Sequence, residues 1–266
     1  MTIKVCLAGA TGWAGSALAR HIAHSEDIEL VSAVSRTHAG RILGNVLGEP
    51  RLTCPIFTTV EEALDYPCDV YFDYTKPDVA KTNVLTALDR GANVVVGTSG
   101  LSNDEYAIIA AVAEARGRGV LAVGNFALTA VLLMKFAEMA AKLIPQWEII
   151  DYASAGKKDA PSGTVRELAA RLSRIRESDL IVPLEQTQGV AETRGARMGG
   201  SQVHSVRLPS FVISAEIIFG MTDQKLIIRH DSGSSAEPYV DGALLAIRKA
   251  GTFTGLRRGL DSVLEI

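Results

Sequence analysis

The sequence predicts an α/β chain of two domains, a parallel sheet with helices followed by an α+β domain on a mostly antiparallel sheet. In the first half, short apolar segments alternate with helix-length amphipathic segments, which is typical of βαβ units. In the second half, three strand-like segments are joined by short turns, and strands joined so tightly run antiparallel. We therefore predict one domain at 1–125, a second at 126–236, and a C-terminal segment at 237–266 that packs back on the first.

The first domain is predicted to start with a buried strand at 3–8, because Ile3-Lys4-Val5-Cys6-Leu7-Ala8 is almost wholly apolar. The same reasoning, applied in chain order, gives strands at 28–34, 69–73, 93–96 and 119–123. Helical periodicity gives helices at 13–24, 77–90 and 103–116. This alternation predicts that all the strands of the first sheet are parallel.

The second domain is predicted from a change of pattern after Asn125. A helix at 129–143 and a strand at 147–152 precede a helix that starts near Ser162 and ends near 175. Residues 177–200 are rich in Gly, Thr and Arg and are predicted to be irregular. The remaining elements are strands at 202–208, 211–219 and 224–230 and a final helix at 237–249.

The composition excludes several classes of function. The chain has 266 residues, 47% of them hydrophobic, and a net charge of -3, so it can bury a core and has no basic footprint for nucleic acid. Its three cysteines, Cys6, Cys54 and Cys68, show neither disulfide nor zinc spacing, which favours a reducing compartment. With no signal-peptide pattern and no long apolar run, we expect a cytoplasmic protein without a metal or a membrane segment, whose ligand is a small molecule.

A glycine-rich turn between the first strand and the first helix predicts a Rossmann-like dinucleotide site. In Gly9-Ala10-Thr11-Gly12-Trp13-Ala14-Gly15, Gly9 allows the tight turn, Gly12 lets the backbone approach a pyrophosphate, and Gly15 lets the helix pack closely. The phosphates would lie at the positive end of the helix. An ordinary glycine-rich turn is the alternative, but the position at the first βα turn favours cofactor binding by residues 9–14.

The end of the second strand indicates which dinucleotide binds. Sites specific for NAD often place an acidic residue about 20 residues beyond the glycines, and this chain has Ser35-Arg36-Thr37-His38 there. Arg36 can pair with a 2′-phosphate and Ser35 can donate a hydrogen bond to it. NADPH is therefore favoured, while NADH stays open and Arg36 has the alternative of being a solvated loop charge.

Further motifs point to one family. They are Asp73-Tyr74-Thr75, Gly97-Thr98-Ser99-Gly100, Asn125-Phe126, Lys157 followed by Asp159-Ala160-Pro161-Ser162-Gly163-Thr164, His204-Ser205-Val206-Arg207-Leu208-Pro209, and Arg229-His230-Asp231-Ser232. Together with the glycine turn they resemble the 4-hydroxy-tetrahydrodipicolinate (dihydrodipicolinate) reductase family, almost from end to end. The motif that begins at Lys157 is the most specific.

The resemblance implies a role for each motif. Residues 9–14 and Thr75 would belong to the cofactor site. Gly97, Thr98 and Ser99 would lie against the nicotinamide and its ribose, and Asn125 and Phe126 would close over the ring. The resemblance also implies a homotetramer built through the C-terminal sheets.

On the substrate side, Gly163 and Thr164 would hold a carboxylate of an acid substrate. Elementary chemistry agrees, because Ser162 is a good N-cap and the N–H groups after it point at an incoming anion. Lys157 could neutralise the same anion or donate a proton.

The chain departs from the family on the substrate side. A histidine pair of the family, one of which is its proton donor, is replaced here by Ala153 and Ser154. Alanine cannot transfer a proton, and an unassisted serine hydroxyl is a poor general acid near neutral pH. The nearest substitutes are Lys157, water, and Tyr152, although strand alternation can turn Tyr152 to the opposite face.

Three functions follow as hypotheses. The first is hydride transfer from a nicotinamide cofactor to a cyclic imine or enamine acid in diaminopimelate and lysine synthesis, as the resemblance implies. The second is a diverged imine reductase or amine dehydrogenase that acts on a different amino or imino acid, which the lost histidines favour. The third is a non-catalytic NADPH-binding sensor, which would keep the glycine turn and lose acid–base residues.

Overall fold

The computed structural model describes residues 2–265, which divide into two compact units. The first comprises residues 2–128 with 236–265, and the second is Thr129–Ser235. Phe126 and Ala236, assigned from the sequence to the second domain, belong to the first unit. Phe126 packs on Phe72 with ring centroids 5.5 Å apart, and Ala236 is buried in a small cluster with Ala17.

The first unit contains a seven-stranded sheet. Its strands are β1 Ile3–Ala8, β2 Ile28–Val34, β3 Ile56–Phe57, β4 Val70–Asp73, β5 Asn93–Val96, β6 Gly119–Ala122 and β12 Gly255–Arg258. The spatial order is β12-β6-β5-β4-β1-β2-β3, and every pairing between these strands is parallel. The predicted parallel sheet is therefore confirmed, and its order from β3 to β6 is that of a doubly wound dinucleotide-binding fold.

The helices of this unit follow the strands along the chain. They are α1 Trp13–Ile22, α2 Leu43–Leu47, α3 Val60–Ala63, α4 Pro77–Asp89, α5 Asn103–Arg116 and α8 Val240–Ala250. The three long helices predicted from periodicity are present. The short α2 and α3, and the strands β3 and β12, were not predicted, because segments of two to five residues are too short to show a period.

The second unit is a five-stranded sheet covered on one face by two helices. Its elements are α6 Leu128–Ala141, β7 Gln146–Ala153, α7 Gly163–Leu172, β8 Ala196–Met198, β9 Ser201–Arg207, β10 Ile213–Met221 and β11 Gln224–Ser232. The order is β11-β10-β7-β9-β8. All the pairings are antiparallel except that of β7 with β9, so the predicted mostly antiparallel sheet is confirmed.

The strands β9 and β10 run antiparallel, as their short connection predicted, but they do not pair with each other, because β7 lies between them. Side chains explain this arrangement: Trp147 of β7 donates an indole hydrogen bond to Ser201 of β9 over 2.9 Å, and Asp151 of β7 pairs with Arg207 of β9 over 2.6 Å. These contacts hold β9 beside β7.

The two faces of β7 differ in character. Trp147, Ile149, Asp151 and Ala153 are buried on what we call the inner face, which α6 and α7 cover, while the alternating residues are only partly buried on the outer face. This alternation decides which side chains of the strand lie near the start of α7. No helix within residues 2–265 is long and apolar enough to cross a membrane.

Candidate functional site

Four loops of the first unit follow the carboxyl ends of adjacent strands. The chain order of the sheet reverses between β1 and β4, and ligands of such sheets bind beyond the carboxyl ends of the strands at that point. Gly9 follows β1, Tyr74 follows β4, Ser35 follows β2 and Gly97 follows β5. The fold therefore brings the predicted cofactor residues to one edge of the sheet.

The glycine turn has the conformation that the motif predicts. Gly9 has a φ of +80°, and a Cβ at this residue would lie 2.2 Å from the carbonyl oxygen of Tyr74. A Cβ at Gly15 would lie 2.2 Å from the carbonyl oxygen of Gly9. Only glycine fits at both positions, because a side chain would push β1, the loop after β4 and α1 apart.

The first turn of α1 offers unpaired donors. The helix begins after Gly12 without a side-chain cap and has no acidic residue in its first turn. The N–H groups at a helix start have no partner inside the helix, and the helix dipole favours an anion there. The turn is therefore suited to a pyrophosphate, in agreement with the sequence prediction that residues 9–14, including Trp13 and Ala14 at the helix start, bind the cofactor.

Two adjoining cavities lie along this edge of the sheet. One of about 450 Å³ is lined by Ser35, Arg36 and Thr37, and one of about 200 Å³ by Gly97, Thr98 and Ser99. Both cavities are also lined by Gly9, Gly12, Tyr74 and Thr75, so they meet at the glycine turn. The pair extends on both sides of the phosphate-binding turn, as a dinucleotide requires, and the residues present fit that group.

The larger cavity carries polar groups where the adenosine half would lie. The Thr11 and Ser35 hydroxyls are 2.8 Å apart, and Ser35 lies 3.5 Å from the Thr37 hydroxyl. Arg36 is exposed at the rim of this cluster. The cluster and the guanidinium are suited to a phosphate ester on the adenosine ribose.

The smaller cavity has an aromatic wall. Tyr74 packs so closely on Gly97 that a Cβ there would lie 2.3 Å from its ring, and the Tyr74 and Phe126 ring centroids are 5.7 Å apart. The side chain of Asn125 is used within its own turn, where it accepts a hydrogen bond from the Ala127 amide over 2.9 Å. Burial raises the pKa of Tyr74, so its phenol stays protonated.

Asp73 is a site residue that sequence reasoning passed over. It ends β4, is fully buried, and accepts hydrogen bonds from the Thr75 hydroxyl over 2.8 Å and the Thr98 hydroxyl over 2.5 Å. Tyr71 donates to its other oxygen over 2.6 Å. A buried acid at the end of a strand, followed two residues later by a threonine, is the signal that could have found it.

The second unit contains the other predicted site, at the start of α7. Ser162 is buried and caps the helix by accepting a hydrogen bond from the Val165 amide over 3.4 Å. The Ser162 amide donates to the fully buried Asp151 over 2.8 Å, and Arg207 donates to the same carboxylate oxygen over 2.6 Å. Arg207 also donates to the carbonyl of Asp159 over 2.9 Å. This buried ion pair holds the loop that begins at Lys157.

The exposed side of the loop carries the Lys157 ammonium and the start of α7. The Lys157 ammonium lies 2.8 Å from the Asp159 carboxylate, and this contact lowers the pKa of Asp159. Gly163 is exposed, and a Cβ there would find no atom closer than 3.8 Å. Thr164 is partly buried in the first turn, which has no acidic residue. The arrangement suits a carboxylate held by Lys157 and the helix start.

Tyr152 is not part of this site, so the prediction that it donates a proton there was wrong. Its side chain lies on the outer face of the sheet, opposite to Asp151 and Ala153, because side chains alternate along β7. Its ring packs on Phe211 with centroids 4.9 Å apart and lies 4.7 Å from the Arg229 guanidinium carbon. Ala153 is fully buried, and of the two residues that replace the histidine pair only Ser154 carries a hydroxyl.

The doubly wound sheet and the uncapped glycine turn define a class of protein, the nicotinamide-dinucleotide oxidoreductases. The comparisons then give the family. The sequence profile "Dihydrodipicolinate reductase, N-terminus" matches residues 3–126, and "Dihydrodipicolinate reductase, C-terminus" matches residues 129–264. The chain belongs to the dihydrodipicolinate reductase family, which confirms the resemblance seen in its motifs.

Individual relatives cover the whole chain. The 4-hydroxy-tetrahydrodipicolinate reductase of Halalkalibacterium halodurans is 36% identical over 264 residues, which span 99% of this chain and 100% of that protein. The enzyme of the same name from Bacillus pumilus is 36% identical over 265 residues, 99% of this chain and 98% of that protein.

Solved structures give the same fold. A dipicolinate-bound dihydrodipicolinate reductase from Paenisporosarcina sp. TG-14 superposes with a TM-score of 0.88 at 29% identity, covering 99% of this chain and 100% of that chain. An amine dehydrogenase from Mycobacterium smegmatis has a TM-score of 0.67 at 12% identity over 97% of this chain and 95% of its own, which shows a shared fold alone.

Proposed function

We propose that this chain is an NADPH-dependent 4-hydroxy-tetrahydrodipicolinate reductase that acts in diaminopimelate and lysine synthesis. The observation that carries the proposal is the loop at 157–164, which the buried Asp151–Arg207 pair holds at the start of α7. This loop is suited to a carboxylate, the group that a dicarboxylic imine would offer. The relatives that carry this name cover the full chain.

The preference for NADPH rests on the larger cavity. Arg36 lines it together with Ser35 and Thr37, and the two acidic residues of its lining, Glu61 and Asp78, belong to helices α3 and α4 and not to the loop that follows β2. A guanidinium attracts a 2′-phosphate and gains little from a free ribose hydroxyl. NADH remains the alternative cofactor, and Arg36 decides between them.

In the proposed mechanism the chain positions two ligands. The reduced nicotinamide, when bound, supplies the hydride. Gly9, Gly12 and the first turn of α1 hold its pyrophosphate. Lys157 and the N–H groups of Gly163 and Thr164 hold the acid substrate and draw negative charge toward the loop. The proton comes from Lys157 or from water, because Ala153 has no proton to give.

The test is turnover with freshly generated 4-hydroxy-tetrahydrodipicolinate, followed by the loss of reduced-nicotinamide absorbance. We expect at least about 1 turnover per second, an ordinary enzyme rate. Lys157→Ala should lower kcat/KM by about 100-fold, since a charge-assisted contact and a proton source are lost together. Lys158→Ala is the matched control, because Lys158 is the adjacent exposed lysine, and it should change kcat/KM by less than about twofold.

A second candidate function is a diverged imine reductase that acts on a different imino acid. Ala153 and Ser154 favour it, because they stand where the resemblance places the family's histidine pair, one of which is the proton donor. Turnover of a simpler cyclic imine, with none of the dicarboxylate, would establish this function in place of the first. NADPH binding without turnover of any imine would indicate a sensor.

We also propose that the chain forms a homotetramer through the outer faces of its C-terminal sheets. Ile150, Ile218 and Ile227 lie on that face, and Ile227 is 47% exposed. An apolar sheet face of this kind is suited to an interface between subunits. A mass of about 28 kDa by light scattering, that of one chain, would contradict the tetramer.

The proposed location is the cytoplasm. The three cysteines are all free, with Cys6 and Cys54 buried, as a reducing compartment permits.

A further inference from the structure

Asp73 is a buried carboxylate without a role in the proposed chemistry so far. All the groups that donate to it are neutral. They are the Tyr71 hydroxyl at 2.6 Å, the Thr75 amide at 3.0 Å, the Thr75 hydroxyl at 2.8 Å, the Asn83 amide at 3.4 Å and the Thr98 hydroxyl at 2.5 Å. An ionised carboxylate accepts hydrogen bonds and donates none, so these donors match its ionised form.

This arrangement fixes the direction of two hydroxyl protons. Thr75 and Thr98 both donate to Oδ1 of Asp73, and a hydroxyl has a single proton to give. With that proton committed, each threonine oxygen can only accept further hydrogen bonds. Both threonines line the smaller cavity, beside Gly97 and Ser99; Thr75 lines the larger cavity as well, and Thr98 does not.

We propose that Asp73 is a positioning residue that makes Thr75 and Thr98 hydrogen-bond acceptors for the nicotinamide riboside half of the cofactor. The matching donor is the carboxamide N–H or a ribose hydroxyl, the two groups of that half that carry hydrogen-bond protons. This inference rests on the proposed nicotinamide cofactor and adds a residue that never touches the ligand itself.

The inference separates the two halves of the cofactor. The nicotinamide half would meet Thr75 and Thr98, whereas the adenosine half would lie toward Ser35 and Arg36 in the larger cavity. A change at Asp73 should therefore weaken binding of the complete dinucleotide and spare a ligand that lacks the nicotinamide riboside. A purely structural role for Asp73 would weaken both ligands together.

The decisive variant is Asp73→Asn, which keeps the shape and replaces one acceptor oxygen with a donor. A threonine hydroxyl that faces the NH₂ of the new amide must accept from it and turn its own proton toward the cavity. That proton then faces the N–H or O–H group of the cofactor, and two donors cannot form a hydrogen bond. We expect the Kd of NADPH to rise about tenfold, which corresponds to about 1.4 kcal/mol, the net worth of a typical hydrogen bond. The Kd of 2′,5′-ADP should stay within about twofold.

Tyr71→Phe is the matched control. It removes a donor from Oδ2 of the same carboxylate and leaves the bonds of Thr75 and Thr98 to Oδ1 in place. It should cost stability and leave both dissociation constants within about twofold. Thermal unfolding of each variant, recorded beside calorimetric titrations, separates loss of fold from loss of affinity.

Thr98→Val tests the same role if Asp73→Asn does not fold. It removes an accepting oxygen directly, so NADPH should again weaken and 2′,5′-ADP should not. The 3-acetylpyridine analogue of NADPH, which lacks the carboxamide N–H, identifies the donor. If the effect of the variants disappears with the analogue, the carboxamide is the partner, and if it persists, the ribose is.

Because the new amide can turn its oxygen toward both threonines, Asp73→Asn is compared with Thr98→Val. Equal weakening of NADPH and 2′,5′-ADP by Asp73→Asn, or unchanged binding of NADPH in both variants, would overturn the role of Asp73 and leave the proposed function standing. Failure of the unaltered protein to bind either ligand would overturn the proposed cofactor and this role with it.

Discussion

The starts of α1 and α7 are the two proposed anion sites, and they are built in different ways. Both helices have ten residues and no acidic residue in the first turn. The start of α1 has no side-chain cap and lies against a glycine turn, whereas Ser162 caps α7. The loop before α7 is further held by Asp151 and Arg207, which lie on two neighbouring strands.

The difference shows two ways to present backbone N–H groups to an anion. At α1 the backbone of the glycine turn packs directly on neighbouring backbone, so the absence of side chains is the requirement. At α7 a buried ion pair fixes the loop, so particular side chains are the requirement. Steric substitutions should therefore damage the first site, and electrostatic substitutions the second.

The largest expected effect on cofactor binding is that of Gly15→Ala. Its Cβ would lie 2.2 Å from the Gly9 carbonyl oxygen, so the turn must move. We expect a loss of about 2 kcal/mol in the free energy of unfolding or more, because a packed site has no room for the methyl group. NADPH binding should fall below detection by calorimetry.

Gly163→Ala is its counterpart at α7, where the nearest atom to the new Cβ is 3.8 Å away. The free energy of unfolding should change by less than about 0.5 kcal/mol. Similar losses in the two variants would contradict the steric difference between the sites.

The largest expected effect on stability is that of Arg207→Met. It leaves the fully buried Asp151 carboxylate without its cation, which should cost about 3–5 kcal/mol of stability in chemical denaturation. Arg248→Met is the control, since Arg248 also pairs with one carboxylate, that of Asp27, but its side chain is 42% exposed, and the expected loss is about 1 kcal/mol or less. If the Arg207 variant lost no more than the control, the ion pair would not be what holds the loop.

A smaller effect is expected for Arg36→Ala. The KM for NADPH should rise about tenfold, because a hydrogen bond to a charged group is worth about 1.5–3 kcal/mol, and the KM for NADH should not change. Arg41→Ala, an exposed arginine in the same loop, should leave both unchanged. Equal effects on the two cofactors would remove Arg36 as the basis for the NADPH preference.

The smallest effect is expected for the caps themselves. Ser162→Ala and Ser102→Ala each remove a serine that accepts a hydrogen bond at a helix start, and each should cost about 1 kcal/mol in thermal unfolding. Only the Ser162 variant should also raise the KM of the acid substrate, because α5 is not at that site. If the Ser102 variant also changed the KM of the acid substrate, the change in the Ser162 variant would reflect lost stability and not a direct contact with the substrate.

The cofactor side was largely predictable from the sequence. Gly9 has a positive φ and Gly15 packs on the Gly9 carbonyl, and such requirements within one turn leave a mark at fixed spacing in the chain. The cavities confirm that the residues of the predicted cofactor segments come to one edge of the sheet, from Ser35 at the end of β2 to Ser99 after β5. Sequence reasoning did not identify Asp73, because its proposed role depends on Thr98, which is 25 residues away in the chain.

The substrate side was predictable only as a motif. Ser162 showed a helix start, but nothing local indicated that Asp151 and Arg207, 56 residues apart, would meet beneath it. Tyr152 was placed wrongly because its position beside the motif was weighed above the alternation of the strand. The pairing of β9 with β7 was not predicted, since the short connection between β9 and β10 determines their antiparallel direction but not which strand lies beside β9.

The sequence by itself determined most of the elements, the parallel sheet, the phosphate-binding turn and the family, because periodicity, glycine spacing and helix caps act over a few residues. The tertiary structure decided which charges are buried together, which face Tyr152 occupies and which way the Thr75 and Thr98 protons point. Those properties depend on contacts between residues far apart in the chain, and their energies arise only once water has been excluded from the space between them.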